Sequence, residues 1–556
     1  MNHPWFKNYP EGIPHTIDTS AYSSIVDLLE QSFEKFHDKP SFTCMGKEYS
    51  YGEIDHLSKK FASYLQNQLG LKKGDRVALM MPNILQYPVA LFGVLRAGLV
   101  AVNVNPLYTE HELEHQLKDS GAETIVIFNN SCHLLEDILE RTPIKNIINT
   151  GIGDFLGFPK SLIVNFVIKN VKKMVPAWSL PTAVRFNDAV AMGEEAKFTK
   201  QEVHLKDIAF LQYTGGTTGV SKGAVLTHGN IVSNMVQAKS WISPVIKEGE
   251  EIIITPLPLY HIFSLTANCF VFSSIGARNV LITNPRDIDG FVKELSKWNF
   301  TALTGVNTLF NALLNNEGFK NLNFDSLKLT LGGGMAVQKA VAHKWKEVTK
   351  HPLLEAYGLT ETSPAACINP LTLDSYNGKI GLPISSTEVK ILDDDNNEVP
   401  TGESGEICIK GPQVMEGYWQ RPEETEKVMT SDGFFKTGDI GFMDEEGYFQ
   451  IVDRKKDMIL VSGFNVYPNE VEDAAVTHPG ILEAAAIGVP SEKSGEIVKL
   501  FVVKKDQNLT EKDVITHCKE YLTGYKIPKL VEFRDELPKT NVGKILRKEL
   551  RKQEES

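Results

Sequence analysis

The sequence predicts an α/β protein: a large amino-terminal domain of layered α/β sheets, residues 1–453, followed by a small α+β domain, residues 454–556. Three observations lead there. Short apolar strand-like runs alternate with helical patterns through the first four-fifths of the chain, the arrangement expected of strands joined by helices. The 556 residues exceed what one core accommodates, so two or more domains are required. Composition then shifts around Asp453-Arg-Lys-Lys-Asp457, because residues 389–447 before it are rich in Gly, Asp, Glu and Pro, as short strands with tight turns are. About a hundred residues follow in a smaller α+β pattern, the size of an independent domain. The charged run reads as a hinge, with a solvated turn as the plain alternative.

With 42% hydrophobic and 23% charged residues, the chain has the makeup of a soluble globular protein. Its net charge of −12 argues against nonspecific nucleic-acid binding. Six cysteines lie far apart with no CxxC pair, so neither a zinc site nor a disulfide framework is visible, and a reducing, cytoplasmic setting is expected. The amino terminus carries no apolar signal core. The best apolar run, residues 88–104, contains Arg96 and two glycines, and is expected as a buried helix followed by a strand. Residues 155–178 differ. Ser161, Asn165, Lys169, Lys172 and Lys173 share one helical face, apolar residues cover the rest, and four lysines have no acid among them. Such a basic amphipathic helix can lie on an anionic membrane surface; a core-facing helix with a lysine edge is the alternative.

Residues 211–224 carry the first chemical signal. The run holds Thr214, Gly215, Gly216, Thr217, Thr218, Gly219, Ser221, Lys222 and Gly223, behind a strand expected at 207–213 and ahead of a helix expected near Asn230. Glycine lets successive N–H groups turn into one concavity, which suits an anion. The hydroxyls and Lys222 add donors and a positive charge. Ser221-Lys222-Gly223 departs from the Gly-Lys-Ser/Thr of the common nucleotide loop, so a kinase or GTPase is disfavoured. The strand in front and the lysine inside favour phosphate binding over a flexible linker. Other polar or glycine-rich clusters also follow strand-like runs: Leu259-Tyr-His-Ile-Phe263, Gly332-Gly-Gly-Met-Ala336 and Tyr357-Gly-Leu-Thr-Glu-Thr362. In a parallel sheet such loops gather at the carboxyl ends of the strands, where ligands bind.

Five separated motifs then stand in one order: the 214–224 loop, Tyr357-Gly-Leu-Thr-Glu361, Thr437-Gly-Asp439, Asp453-Arg-Lys-Lys-Asp457 and Pro538-Lys-Thr-Asn-Val-Gly-Lys544. Nearly the whole chain resembles the adenylate-forming superfamily of acyl-CoA synthetases, luciferases and nonribosomal adenylation domains. Leu71-Lys-Lys-Gly-Asp-Arg-Val-Ala-Leu-Met-Met-Pro82 and residues 454–470 resemble bacterial long-chain fatty acid–CoA ligases in particular. The resemblance implies a distorted β-barrel subdomain in the large domain and a mobile small domain. It also implies that ATP converts a fatty acid to an acyl adenylate with release of pyrophosphate, and that the thiol of coenzyme A then displaces AMP. The acyl-CoA would feed β-oxidation and lipid synthesis.

Site roles follow from the same resemblance. Residues Thr214 to Lys222 would hold the β- and γ-phosphates. Glu361 would bind Mg²⁺ with Thr214 as a second contact, and Thr360 would donate to the α-phosphate. Gly332, Gly333 and Gly334 would approach the adenine, with Tyr357 stacked on it. Asp439 would accept the ribose hydroxyls beside Arg454. Lys544 would be the catalytic lysine, although by itself it reads as part of a solvated basic tail with Lys539, Arg547, Lys548, Arg551 and Lys552. Lys456 falls at the hinge, and Gly463 leaves room for the pantetheine arm. His261 would position the substrate, and an acyl tunnel is expected near Phe263, Leu265 and the segment after Gly305. Expected partners are a long-chain fatty acid, ATP and coenzyme A, a second copy of the chain, and a membrane surface met through residues 155–178, but no nucleic acid. The expected location is the cytoplasm, peripheral on the inner face of the cell membrane. Two alternatives stay open: a fatty acyl-AMP ligase that serves a carrier protein, disfavoured by Phe464-Asn-Val-Tyr-Pro, and a nucleotide-binding fatty-acid carrier or sensor without turnover.

Overall fold

A computed structural model of the chain describes residues 3–195, 198–214, 221–462, 464–491, 494–540 and 543–555. Two large sheets enclose a layer of helices. The first has nine strands, ordered from Leu382–Pro383 through Ala365–Ile368, Leu354–Gly358, Leu329–Gly332, Ala302–Gly305, Ile252–Thr255, Arg278–Leu281 and Pro40–Cys44 to Lys47–Ser50. The six from Leu354–Gly358 to Pro40–Cys44 are parallel. Runs such as Ile252-Ile-Ile are continuously apolar because parallel strands are covered on both faces. The second sheet has eight strands. Its parallel core is Ile208–Thr214, Val100–Asn103, Arg76–Met80, Thr124–Phe128, Asn146–Thr150 and Val184–Arg185, and Lys222–Thr227 and Gly417–Tyr418 pair antiparallel at one edge.

Aromatic side chains bind the layers. Phe92, on the helix Gln86–Arg96, lies 6.3 Å from both Phe42 of the first sheet and Phe270, and Phe210 of the second sheet lies 6.0 Å from Phe270. The apolar run at 88–104 is thus this buried helix and the strand Val100–Asn103. Arg96 is tolerated inside it because Asp55 meets its guanidinium at 2.5 Å and the Asp55 carbonyl accepts a second bond at 2.8 Å. A buried charge paired in this way escapes most of its desolvation cost.

Beyond the first sheet lies an antiparallel sheet of Glu388–Leu392, Gly405–Lys410, Phe435–Met443 and Phe449–Arg454, in the region where a distorted barrel is expected. An isolated bridge between Gly381 and Phe449 ties it to the large domain. The last sheet begins only after the charged run. It comprises Ile459–Val461, Phe464–Val466, Ile481–Ser491, Gly495–Lys504 and Leu530–Arg534, covered by the helices Pro468–Val476, Glu511–Tyr521 and Arg547–Glu555.

The segment 155–178 forms the short helix Lys160–Phe166, continued by a π-turn over Val167–Val171. Its orientation reverses the ordinary surface helix. Asn165 turns inward, accepting from Gly153 N at 2.9 Å and donating to Asp154 Oδ1 at 2.7 Å. Phe158, Leu162, Ile163, Phe166, Val171 and Met174 point outward, with Phe158 85% exposed. Among the described residues no helix is long and apolar enough to cross a membrane.

Candidate functional site

A cleft of about 2350 Å³ opens where the loops after the parallel strands meet the antiparallel sheet and the small domain. Thr214, Ser221, Lys222, His261, Gly333, Gly334, Tyr357, Thr360, Glu361, Asp439, Arg454, Lys456 and Lys544 all line it. Gly332 does not. It ends a strand and its bare α-carbon faces Val337, where a Cβ would come within 2.5 Å of a methyl group. Gly215, Gly216, Thr217, Thr218, Gly219 and Gly463 lie outside the described residues.

Thr214 and Lys222 face each other across antiparallel strands, and Ser221 Oγ donates to the Thr214 carbonyl. The helix expected near Asn230 starts at His228, after the intervening strand Lys222–Thr227. It is capped reciprocally by Thr227 and Asn230. The Lys222 ammonium pairs with Glu424 and lies 5.1 Å from the Tyr418 ring centroid. Neither Tyr418 nor Glu424 was legible in the sequence, since both reach the site through contacts about two hundred residues long with no local pattern.

Glu361 sits in the short 3-10 turn Thr360–Thr362, directly after the parallel strand Leu354–Gly358. It is buried, its Oε1 accepts from Tyr418 Oη at 2.7 Å, and burial raises its carboxyl above the ordinary range. No cationic side chain pairs with it among the described residues. The Arg454 guanidinium acts on it only from beyond ion-pair distance, and a buried carboxylate without a direct ion pair suits a hard cation with oxygen ligands, so the residues fit Mg²⁺. The nearby Thr214 side chain faces the same cleft.

Elsewhere in the cleft, Tyr357 Oη donates to Asp439 Oδ2 at 2.6 Å and Arg454 Nε meets Asp439 Oδ1 at 2.6 Å. Asp439 and Arg454 are opposite one another in the register of two antiparallel strands, which explains why residues fifteen positions apart converge. Gly333 and Gly334 approach from the neighbouring loop, where a Cβ on Gly333 would come within 3.0 Å of the Phe263 ring and Gly334 has φ of 77°.

The small domain supplies the lysines. Gly543 O accepts from Thr308 Oγ1 at 3.0 Å, and Lys544 N donates to Thr540 Oγ1 at 3.0 Å, which fixes the backbone next to the cleft. Burial, reinforced by the Arg454 guanidinium, lowers the Lys544 ammonium to about 8. Lys456 is lowered to about 8, also first by burial, and its Nζ is enclosed without a hydrogen-bond partner. His261 is lowered to about 4 by burial and by Lys544, so its imidazole is neutral near pH 7. Its Nδ1 accepts from Phe263 N at 3.4 Å, which leaves the proton on Nε2. Asn83 shapes this loop by donating to the Thr255 and Leu257 carbonyls at 3.0 and 2.9 Å and accepting from Leu259 N at 2.8 Å.

The basic tail is not a solvated tail throughout. Arg547 meets Glu472 at 2.7 Å, Asp453 at 3.2 Å and Asp457 at 3.5 Å, and Arg551 meets Asp457 at 2.5 Å.

An apolar branch leaves the cleft along the helix His228–Ile242. Asn234, Ala238 and Ile242 line it at successive turns, about 12 Å along the axis. On the facing sheet Gly333, Leu331 and Leu329 span about 13 Å. Val271, Phe272 and Ile368 complete the lining. Asn234 donates to the Ala365 carbonyl and Trp241 to the Asn369 carbonyl, and Ile242 and Leu329 are both buried. Of the expected lining, Phe263 takes part, as do Thr266, Ala267, Val271 and Phe272 beyond Leu265. Leu265 is packed in the core, and the segment after Gly305 contributes the polar Asn307, Thr308 and Asn311.

Residues 29–419 match the AMP-binding enzyme family, and residues 470–544 match the AMP-binding enzyme C-terminal domain. Among curated relatives, a long-chain-fatty-acid–CoA ligase of Escherichia coli is 57% identical over 551 residues, covering 99% of this chain and 98% of the relative. The crystal structure of the anthranilate CoA ligase AuaEII in complex with anthranoyl-AMP is 25% identical, with a TM-score of 0.86 over 97% of this chain and 98% of that one. The ATP-bound MatB of Rhodopseudomonas palustris is 29% identical, with a TM-score of 0.78 over 95% and 98%.

Proposed function

We infer that this chain, which belongs to the AMP-binding enzyme family, makes acyl-CoA in the cleft: it is an ATP-dependent long-chain fatty acid–CoA ligase that works through an acyl adenylate. The observation that carries the reading is full-length similarity at 57% identity to a ligase of that activity. The chemistry fits the site. A carboxylate is a poor electrophile, and its attack on the α-phosphate of ATP brings two anions together, so the protein must supply placed positive charge and donors.

In this reading Lys544 bridges the fatty-acid carboxylate and the α-phosphate as the carboxylate oxygen attacks phosphorus and pyrophosphate leaves. Thr360 donates to the same phosphate, and Lys222 exchanges Glu424 for the departing phosphates. Asp439 and Arg454 hold the ribose, and Tyr357 with Gly333 and Gly334 encloses the base. Glu361, with Thr214, would hold Mg²⁺, which when bound neutralises phosphate charge. The neutral His261 borders the acyl carbonyl as a positioning group. In the second half-reaction the thiol of coenzyme A attacks the acyl carbonyl, the carbon–oxygen bond to AMP breaks, and the thiol proton passes to solvent. The acyl chain occupies the apolar branch between Ala238, Ile242, Phe272 and Leu329. We place the domain boundary at residues 453–454, with Lys456 in the hinge.

The location follows from residues 155–178. Six of the eleven large exposed hydrophobic side chains among the described residues stand in this one segment, together with four lysines and no acid. That combination supports peripheral contact with an anionic lipid surface, the phase into which the substrate itself partitions.

The test is a two-stage assay. Fatty-acid-dependent ATP–pyrophosphate exchange is expected without coenzyme A, and acyl-CoA with AMP on its addition. Exchange with transfer only to a carrier protein would establish the acyl-AMP ligase instead, and absence of exchange would establish a carrier or sensor.

A further inference from the structure

Tyr418 takes no part in the chemistry above, yet it touches both charged groups on the phosphate side of the cleft. It stands on the two-residue strand Gly417–Tyr418, opposite Ala224 of the strand that begins with Lys222. Its hydroxyl donates to Glu361 Oε1 at 2.7 Å, and Lys222 Nζ lies 5.1 Å from the centre of its ring. The backbone around it is held firmly. Tyr418 N donates to Thr425 Oγ1 at 2.9 Å, Trp419 N to the Gly223 carbonyl at 2.8 Å, and Met415 N to the Glu361 carbonyl at 2.8 Å. Gly417 has φ of 148°, and a Cβ there would come within 2.8 Å of Thr425, so the close strand–helix approach depends on glycine.

The hydroxyl occupies Oε1 of Glu361 and, with the residue's own backbone N–H, restrains the carboxylate. The ring face attracts the ammonium through its quadrupole. One rigid side chain with two torsions therefore governs where a carboxylate and an ammonium stand relative to each other. These are the two groups that must meet a single polyphosphate and its cation together.

We propose that Tyr418 is a positioning residue that presents Glu361 and Lys222 jointly to magnesium-bound ATP, its hydroxyl orienting the carboxylate and its ring holding the ammonium. This rests on the reading that Glu361 meets the cation. The two parts separate by substitution, because Tyr418→Phe removes the hydroxyl and keeps the ring, whereas Tyr418→Leu removes both.

The experiment is calorimetric titration of ATP into the full-length protein, at magnesium concentrations from none to excess, for wild type, Tyr418→Phe, Tyr418→Leu and Glu361→Gln. Tyr418→Phe is expected to raise the magnesium concentration for half-maximal tightening of ATP binding by about tenfold, the worth of a hydrogen bond to a charged group. Magnesium-free ATP binding and thermal unfolding should stay unchanged. Tyr418→Leu should in addition weaken magnesium-free binding. If Glu361→Gln keeps the wild-type magnesium dependence, the metal assignment itself is wrong. If Glu361→Gln loses it and Tyr418→Phe does not shift it, the role of Tyr418 is overturned. Equal weakening by Tyr418→Phe with and without magnesium, accompanied by a lower unfolding temperature, also overturns it, since that is what a purely structural residue produces.

Discussion

Tyr357 donates its hydroxyl to Asp439 Oδ2 at 2.6 Å, while Arg454 meets the other oxygen of the same carboxylate at 2.6 Å. This contact joins the parallel sheet to the antiparallel one at the cleft, where the proposed function puts the ribose. Asp439→Asn preserves the shape but removes the charge that Arg454 faces. Charge-assisted bonds are roughly twice as strong as neutral ones, so the KM for ATP should rise about tenfold or more. Steady-state kinetics at saturating fatty acid check this, and an unchanged KM would place the ribose elsewhere.

Lys544→Ala should abolish adenylate formation and spare thioester formation from supplied acyl adenylate. Loss of one such charge-stabilising group costs about a hundredfold to a thousandfold in rate. Separate assays of the two half-reactions decide it, and an equal loss in both, with the fold intact, would refute the assignment.

The pH dependence follows from the same residue. In the proposed mechanism adenylation needs the Lys544 ammonium, whose pKa burial and Arg454 lower to about 8. Its charged form is therefore present below that value and lost above it. The kcat/KM for fatty acid in pyrophosphate exchange should fall as pH rises through about 8. A profile flat to pH 10 would show that Lys544 carries no such role or no such shift.

Chain length should respond at the Ile242 end of the apolar branch. Ile242→Trp fills the space between the helix and Leu329, so kcat/KM for long-chain acids should drop about a hundredfold while short acids are spared. A uniform loss across a panel of chain lengths would mean general damage to packing.

Arg547 is the counter-charge of Glu472, Asp453 and Asp457. Arg547→Met leaves the buried Glu472 and Asp453 without an ion pair, while Asp457 keeps Arg551, and should destabilise the small domain by about 3 kcal/mol. Denaturant unfolding followed by hydrogen exchange in residues 464–491 measures it.

Membrane contact is tested by sedimentation with vesicles. Phe158→Ser with Phe166→Ser should release the protein from anionic vesicles without altering exchange activity on a soluble short-chain acid. Equal binding by the variant would remove this face as the contact.

The motifs were legible because each is a local pattern: glycines and hydroxyls after a strand at Thr214, a carboxylate one turn past Tyr357, a Gly-Lys at Lys544. Their meeting in one cleft was not local, and came only from resemblance. Residues that act through long contacts, Tyr418, Glu424 and Asn83, left no signal, since nothing in their neighbours marks a partner two hundred positions away. Periodicity placed Asn165 on the polar, outward face of its segment, and it turned inward. Its amide satisfies Gly153 and Asp154, and that hydrogen bonding outweighs the pattern.

The sequence by itself determined the fold class, the order of the motifs and the buried character of residues 88–104. These depend on backbone propensity and on apolar periodicity, which are properties of short stretches. Only the tertiary structure decided which charges are compensated. Among the described residues it left Glu361 without a direct ion pair, gave Lys222 to Glu424, enclosed Lys456 without a hydrogen-bond partner and buried Arg547 among three acids. Those outcomes depend on distance and desolvation, and both exist only once the sheets and the small domain have closed around the cleft.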